Sequence, residues 1–263
     1  MQSGITQCAM WGSTTTDFIA AAGAAGYDVV ELMLAGTGEL TTSTDAAGLA
    51  AIRQQAADAG VSIFSVAMLH ASATPVQGGD AQATCLEELA AGLEVAKALG
   101  ASNTLLTLGR IAPDLYYDVA YANAVDTLQK LGPIAEAAGV DVAIEFVWNG
   151  FLFSPMEMRR FLDEVNHPRI GFYFDPGNMA IFNVPQHWVR IVGHHTKKVH
   201  LKDWTGGGQN GKWTALQEGD VDFPAVMAEL RAIGYDGPLV SEVEPALASL
   251  EDTLAAMKRI AAL

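Results

Sequence analysis

The chain has 263 residues, half of them hydrophobic and 17% charged, which is the composition of a folded protein and excludes a disordered one. Lys and Arg number 15 against 30 Asp and Glu, for a formal net charge of −15, so no general field draws in a phosphate backbone and nucleic acid is not an expected partner. No apolar segment approaches the roughly 20 residues needed to cross a bilayer, so a membrane is not expected either.

Along the chain, short β-rich runs alternate with longer Ala-rich stretches of helical period. The first strand is expected over residues 4–10, with a helix opening at Thr16-Asp17 and stopping by Gly23 or Gly26. A second strand over 28–33 precedes a helix over 45–59, closed by Gly60. A third over 61–69 precedes a helix over 80–99, closed by Gly100. The fourth strand, 103–108, leads to a helix over 115–138 in which Gly132-Pro133 is expected to introduce a kink. The fifth, 140–146, is followed by a helix over 155–165, and the sixth, 169–174, by a broken helical region over 179–192. The seventh, 198–201, leads into a long Gly-rich loop containing Gly206-Gly207-Gly208 and then a helix over 223–233. The eighth, 238–243, precedes a last helix over 247–262.

Eight strictly alternating strand–helix units imply an α/β fold with a parallel sheet, and at this length they match one closed (β/α)8 TIM barrel spanning residues 1–263 as a single domain. The near-continuous apolar strands suit a sheet covered on both faces. An open doubly wound sheet is the competing arrangement, but no strand-to-helix turn carries a Gly-rich phosphate loop. Cys8 and Cys85 sit in no CxxC or zinc-type spacing and read as free thiols. Residues 1–10 lack a basic stretch followed by an apolar run, so a secretory leader is not expected and the protein is expected in the cytoplasm.

In such a barrel the working side chains project from the C-terminal ends of the strands. Glu145 closes the fifth strand, Asp175 follows the sixth, His200 lies in the seventh and Glu242 in the eighth, so four ligand-type groups from consecutive strands converge on one side of the mouth. A carboxylate inside an otherwise apolar strand costs several kcal/mol if unpaired, and one shared divalent cation resolves that cost for all of them. Three carboxylates and one imidazole form a mostly hard, oxygen-rich set, which favours Mn²⁺, Mg²⁺ or Co²⁺ over the metals of thiolate- or His-rich sites. Glu31 ends the second strand and His70 follows the third, placing both within reach of a substrate. Trp11, Trp148 and Trp204 follow strands one, five and seven, where aromatic walls line sugar sites. Lys202 and Arg110 are cations that could meet a hydroxylated or anionic group. His194-His195 falls at the opposite end of the barrel and is assigned no function.

The runs Ala143-Ile144-Glu145-Phe146, Phe174-Asp175-Pro176-Gly177-Asn178, Val199-His200-Leu201-Lys202-Asp203 and Ser241-Glu242-Val243-Glu244 resemble the sugar phosphate isomerase/epimerase superfamily of xylose-isomerase-like barrels. So does Glu218-Gly219-Asp220-Val221-Asp222-Phe223 after the seventh strand, and the resemblance spans the chain in strand order. It implies that Glu145, Asp175, His200 and Glu242 bind a single divalent metal, Mn²⁺ in first place. It also implies that Glu145 and Glu242 exchange protons with a small carbohydrate while Asp175 and His200 serve as ligands only, and that the protein is a homodimer or homotetramer. The expected activity is isomerisation or epimerisation of a keto or aldo sugar through an enediolate-type proton transfer.

Departures from the ketose 3-epimerase pattern are local. Those enzymes carry Asn-Arg-Phe/Tyr-Glu shortly after the first ligand glutamate, where this chain has Phe146-Val147-Trp148-Asn149-Gly150-Phe151. Asn178 stands where they carry a substrate-binding His and is the substrate contact expected there, and Gly206 replaces an Arg. Alternatives on the same scaffold are a lyase that dehydrates an inosose or a dehydroshikimate-like acid, and a non-catalytic accessory barrel. An endonuclease IV-like phosphodiesterase fits poorly, because Asn178 and Leu108 stand where its additional metal ligands would be expected.

Overall fold

The computed structural model describes residues 1–263, the side chain of Gln209 excepted. Eight strands close into a barrel in the order β1-β10-β7-β6-β5-β4-β3-β2, and every neighbouring pair is parallel. They are β1 (Ser3–Thr6), β2 (Val29–Leu34), β3 (Ser62–Met68), β4 (Asn103–Leu106), β5 (Asp141–Glu145), β6 (Ile170–Phe174), β7 (Thr196–Leu201) and β10 (Leu239–Ser241). The helices that cover them are α1 (Thr15–Ala25), α2 (Ala46–Asp58), α3 (Asp80–Leu99), α4 (Tyr117–Ala138), α5 (Pro155–Val165), α6 (Pro176–Ala180), α7 (Pro185–Val192), α8 (Phe223–Ala232) and α9 (Leu250–Ala262).

Local chemistry sets the helix ends. Thr14, Ser154 and Ser249 accept hydrogen bonds from the backbone N–H groups of Asp17, Glu157 and Asp252, which holds the starts of α1, α5 and α9. Gly26, Gly100 and Gly139 close α1, α3 and α4 with φ of 88°, 79° and 74°, a left-handed turn that a side chain resists. Helix α4 continues through Pro133. Gly132 allows a close approach: a Cβ there would lie 2.4 Å from the His167 ring.

Several strands end sooner than the sequence suggests. The first stops at Thr6 and turns into a 3-10 helix over Gln7–Met10, whose start is fixed by the Thr6 hydroxyl accepting from Cys8 N. Strand β10 stops at Ser241, so Glu242 stands one residue beyond it, still tied to the ladder by its N–H donating to Leu201 O at 3.1 Å. The Gly-rich segment is a hairpin: β8 (Asp203–Thr205) pairs antiparallel with β9 (Lys212–Thr214), bringing Trp204 opposite Trp213.

The hydrophobic core lies mainly between strands and helices, where Phe18, Val30, Leu93, Leu128, Phe161 and Met257 are buried. Each such side chain stabilises the fold by about 1.5–3 kcal/mol. Inside the barrel the apolar set is small, Ala67, Leu105, Ala143 and Tyr173 with Cys8 against them. Buried polar groups fill the rest, among them Glu31, Ser65, Asn103, Lys198 and His200. Among the described residues, no helix is long and apolar enough to cross a membrane.

Candidate metal centre

At the C-terminal mouth, Glu145 is the last residue of β5, Asp175 caps α6 directly after β6, His200 lies near the end of β7 and Glu242 follows β10. Because β5, β6, β7 and β10 are consecutive in the barrel, these side chains share one arc of the rim. One ligand atom from each lies within 4.8 Å of all the others. His200 Nδ1 is 3.3 Å from Glu145 Oε1 and 3.5 Å from Glu242 Oε2. Asp175 and His200 are fully buried and Glu145 nearly so, while the Glu242 side chain keeps 22% exposure toward the mouth.

Each carboxylate is oriented by a partner. Asp175 Oδ1 accepts from Gly177 N (2.9 Å) and Asn178 N (3.2 Å), and Asn178 Nδ2 donates to Glu145 Oε1 and to Phe146 O, both at 3.1 Å. Lys202 Nζ lies 2.7 Å from Glu242 Oε2. The other Asp175 oxygen, Oδ2, is buried, has no hydrogen-bond partner and has only the Lys202 ammonium, 3.2 Å away, to offset its charge. A divalent cation held by these four residues would give that oxygen a second positive partner. The donor set and this oxygen therefore fit a metal.

The charges are strongly coupled. Burial alone would push the His200 imidazolium down, but hydrogen bonds to Glu145 and Glu31 and the charge of Glu242 raise its pKa to about 10. Burial raises the Asp175 carboxyl, opposed by Lys202 and reinforced by Glu145. Burial disfavours the Lys202 ammonium, yet Asp175 and Glu242 outweigh it and raise its pKa above the usual range. Lys202 is thus a fixed cation of the site, not a solvated strand-end lysine.

Indoles wall the mouth. Trp148 stacks on Trp213 with centroids 5.1 Å apart and planes within 8°, Trp204 packs edge-on to both, and Lys202 Nζ sits 4.7 Å from the Trp213 centroid. Trp148 and Trp213 share a cavity of about 300 Å³ with Arg110 and Asn178, and Trp148 Nε1 donates to Asn178 O. A second opening of about 450 Å³ lies beside Cys8, Trp11 and Glu244. Between them, Lys202, Trp213, Glu242 and Glu244 line the narrow approach to the four-residue cluster.

Asn178, Trp148 and Lys202 therefore meet at the centre, and Trp11 stands on the outer rim, 74% exposed. The structure does not place Glu31 or His70 on the cavity walls. Strand β2 continues to Leu34, so Glu31 is mid-strand, fully buried below the His200 ring. His70 Nε2 is instead 2.8 Å from Glu88 O, and the ring packs on Gly92 of α3. Trp213 was not singled out by the sequence. The triplets Asp203-Trp204-Thr205 and Lys212-Trp213-Thr214 flanking a Gly-rich run are a hairpin signal that could have found it. Glu244 and Cys8 also line the approach without having been flagged.

A family model described as the xylose isomerase-like TIM barrel matches residues 19–260. An L-ribulose 3-epimerase of Methylomonas sp. (strain DH-1) is 31% identical over 125 residues, 46% of this chain and 41% of that protein. An inosose dehydratase of Geobacillus thermodenitrificans is 25% identical over 145 residues, 48% of each chain. The chain thus spans less than half the length of these curated relatives. A D-psicose 3-epimerase structure from Clostridium cellulolyticum H10 superposes with a TM-score of 0.81 at 16% identity, covering 99% of this chain and 98% of the other, which shows a shared fold.

Proposed function

The chain belongs to the family of xylose isomerase-like TIM barrels, and on that premise we propose that it is a divalent-metal-dependent isomerase or epimerase of a small keto or aldo sugar or related hydroxy-carbonyl compound. The observation that carries the reading is the convergence of four ligand-type atoms within 4.8 Å, one of the carboxylates keeping a buried oxygen without a hydrogen bond. Glu145, Asp175, His200 and Glu242 would hold the metal, and the oxygen-rich set favours Mn²⁺, with Mg²⁺ or Co²⁺ as alternatives. When bound, the cation supplies a Lewis acid for a carbonyl and its neighbouring hydroxyl.

The chain's own groups account for the proton traffic. Glu145 and Glu242 come from strands separated by β6 and β7, and a carboxylate oxygen of each lies within 4.8 Å of the other. A carbon beside the substrate carbonyl, held between them, can lose its proton to one and regain a proton from the other. Return to the opposite face of that carbon is epimerisation, and return to the adjacent carbon is isomerisation. Lys202 holds its proton tightly and lines the approach next to Glu242, so it acts as a hydrogen-bond donor to a substrate oxygen and not as a base. Trp148 and Trp213 offer an apolar face to a carbohydrate ring or chain and limit water at the reacting carbon.

The similarity to an inosose dehydratase favours a second outcome on the same site, proton abstraction followed by loss of a β-hydroxyl. The test is a panel of ketoses, aldoses and inososes offered to chelator-stripped protein reloaded with Mn²⁺, Mg²⁺ or Co²⁺, with products identified. Glu145→Gln and Glu242→Gln run alongside. Turnover by the wild type that is lost in both variants is expected, and the product names the reaction. A conjugated carbonyl product would select the dehydratase reading. A metal-loaded wild type as inert as its variants would leave an accessory barrel.

A further inference from the structure

Below the metal ligands, inside the barrel, lies an ion pair that the proton chemistry does not use. Glu31 of β2 and Lys198 of β7 are both fully buried and joined through Glu31 Oε2. The same oxygen accepts from Ser65 Oγ at 2.5 Å and lies 3.4 Å from Tyr173 Oη. Lys198 Nζ also meets Ser65 Oγ and sits 4.8 Å from the Tyr173 ring centroid. The donors thus crowd onto Oε2. The remaining oxygen, Oε1, faces His200 Nε2 at 3.2 Å.

The consequence for His200 follows from its donor inventory. The Glu31 carboxylate in this ion pair can only accept, so the imidazole nitrogen facing it must carry a hydrogen. A neutral imidazole has a single N–H, which leaves the lone pair on Nδ1. Nδ1 is also the nitrogen that points at Glu145 and Glu242. We infer that Glu31, anchored by Lys198 and Ser65, is a positioning residue that fixes the ring and tautomer of His200 so that Nδ1 is its metal-ligating atom. The inference rests on the reading of the mouth cluster as a metal centre and goes beyond it by giving the buried interior pair a task. A barrel interior is ordinarily packed with branched apolar side chains, and an apolar pair in place of a buried salt bridge often leaves stability unchanged or improved. Cohesion alone therefore does not account for Lys198 and Glu31, whereas orienting a ligand does.

The experiment is a Co²⁺ titration of the stripped full-length chain, followed by visible absorption and by thermal melting of the metal-free protein. The variants are Glu31→Gln and the double substitution Glu31→Leu with Lys198→Met. The double variant removes both charges together, so its metal-free form should melt near the wild type while binding Co²⁺ about 10- to 100-fold more weakly and with an altered spectrum. Glu31→Gln keeps an acceptor oxygen and should recover part of the affinity; it carries the test alone if the double variant does not fold. A folded double variant, or a Glu31→Gln protein, with wild-type Co²⁺ affinity and spectrum would overturn the role of Glu31 and leave the metal centre standing. A wild type that takes up no Co²⁺ would overturn both. Tight Co²⁺ binding without turnover of any compound in the panel would remove the catalytic reading and leave this inference intact.

Discussion

Among the described residues, two clusters of three or more potential metal ligands combine histidine with carboxylate, and they have little else in common. At the C-terminal mouth, Glu145, Asp175, His200 and Glu242 project from four adjacent strands, three of them buried. At the other end, Asp163 of α5 meets His194 and His195 on the turn before β7, with Asp163 and His194 exposed. There Asp163 Oδ1 lies 2.9 Å from His195 Nε2 and 3.6 Å from His194 Nε2, and Arg159 lies 3.5 Å from Oδ2. The aspartate is partnered by the Arg159 guanidinium and the two imidazoles, and the His195 hydrogen bond lowers its pKa. At the mouth, three carboxylates crowd together, two of them buried, and one buried oxygen accepts no hydrogen bond. Residue types alone do not distinguish the two clusters. Rigid strands, burial and an unmet acceptor do.

The largest effect that would sharpen this contrast is catalytic. Glu145→Gln and Glu242→Gln should each lower kcat about 10³-fold on whichever substrate the wild type turns over, the middle of the range for loss of a general acid or base. Steady-state kinetics with saturating metal checks this, and a variant retaining most of its rate would remove that glutamate from the proton relay. Next come the two residues proposed as ligands only. Asp175→Asn and His200→Ala should weaken metal binding by more than about 100-fold, beyond what loss of an outer partner does, as read by isothermal titration.

The pH dependence is smaller and has a definite sign. In the metal-free protein the His200 pKa is raised to about 10, and a metal held through Nδ1 would need that nitrogen unprotonated. Metal uptake should therefore release a proton, and affinity should rise about tenfold per pH unit until pH approaches 10. The same shift means that the stability His200 lends the metal-free fold is fully present below its ordinary pKa of 6.5 and is lost as pH rises through about 10. A metal affinity that is flat or falling between pH 6 and 9 would contradict the hydrogen-bonded imidazolium. The smallest effect belongs to the other end of the barrel: His194→Ala and His195→Ala should leave the bound metal untouched and change stability by no more than about 0.5 kcal/mol.

The barrel and the convergence of four ligand-type side chains were legible because both follow from local patterns. Alternating strand and helix periods imply parallel strands, and strand ends locate the rim where Glu145, Asp175, His200 and Glu242 meet. Glu31 shows the limit. It lies 167 residues from Lys198 and 169 from His200 along the chain, and these groups meet only once the barrel closes with a particular register. A reading that set Glu31 at a strand end put it on the substrate wall, whereas three further residues of β2 sink it beneath His200. Trp213 was hidden for a different reason, since the glycines of 206–211 dominate the local signal and mask the hairpin that carries the indole to Trp148.

The most direct test of the metal centre is the stoichiometry of Mn²⁺ bound to the stripped full-length chain at neutral pH. It would be read by electron paramagnetic resonance for the wild type, for His200→Ala and for the paired His194→Ala and His195→Ala variant. One equivalent in the wild type, lost with His200 and kept without His194 and His195, is the predicted result. Mn²⁺ that stays with His200→Ala, or leaves only when His194 and His195 are removed, would contradict it.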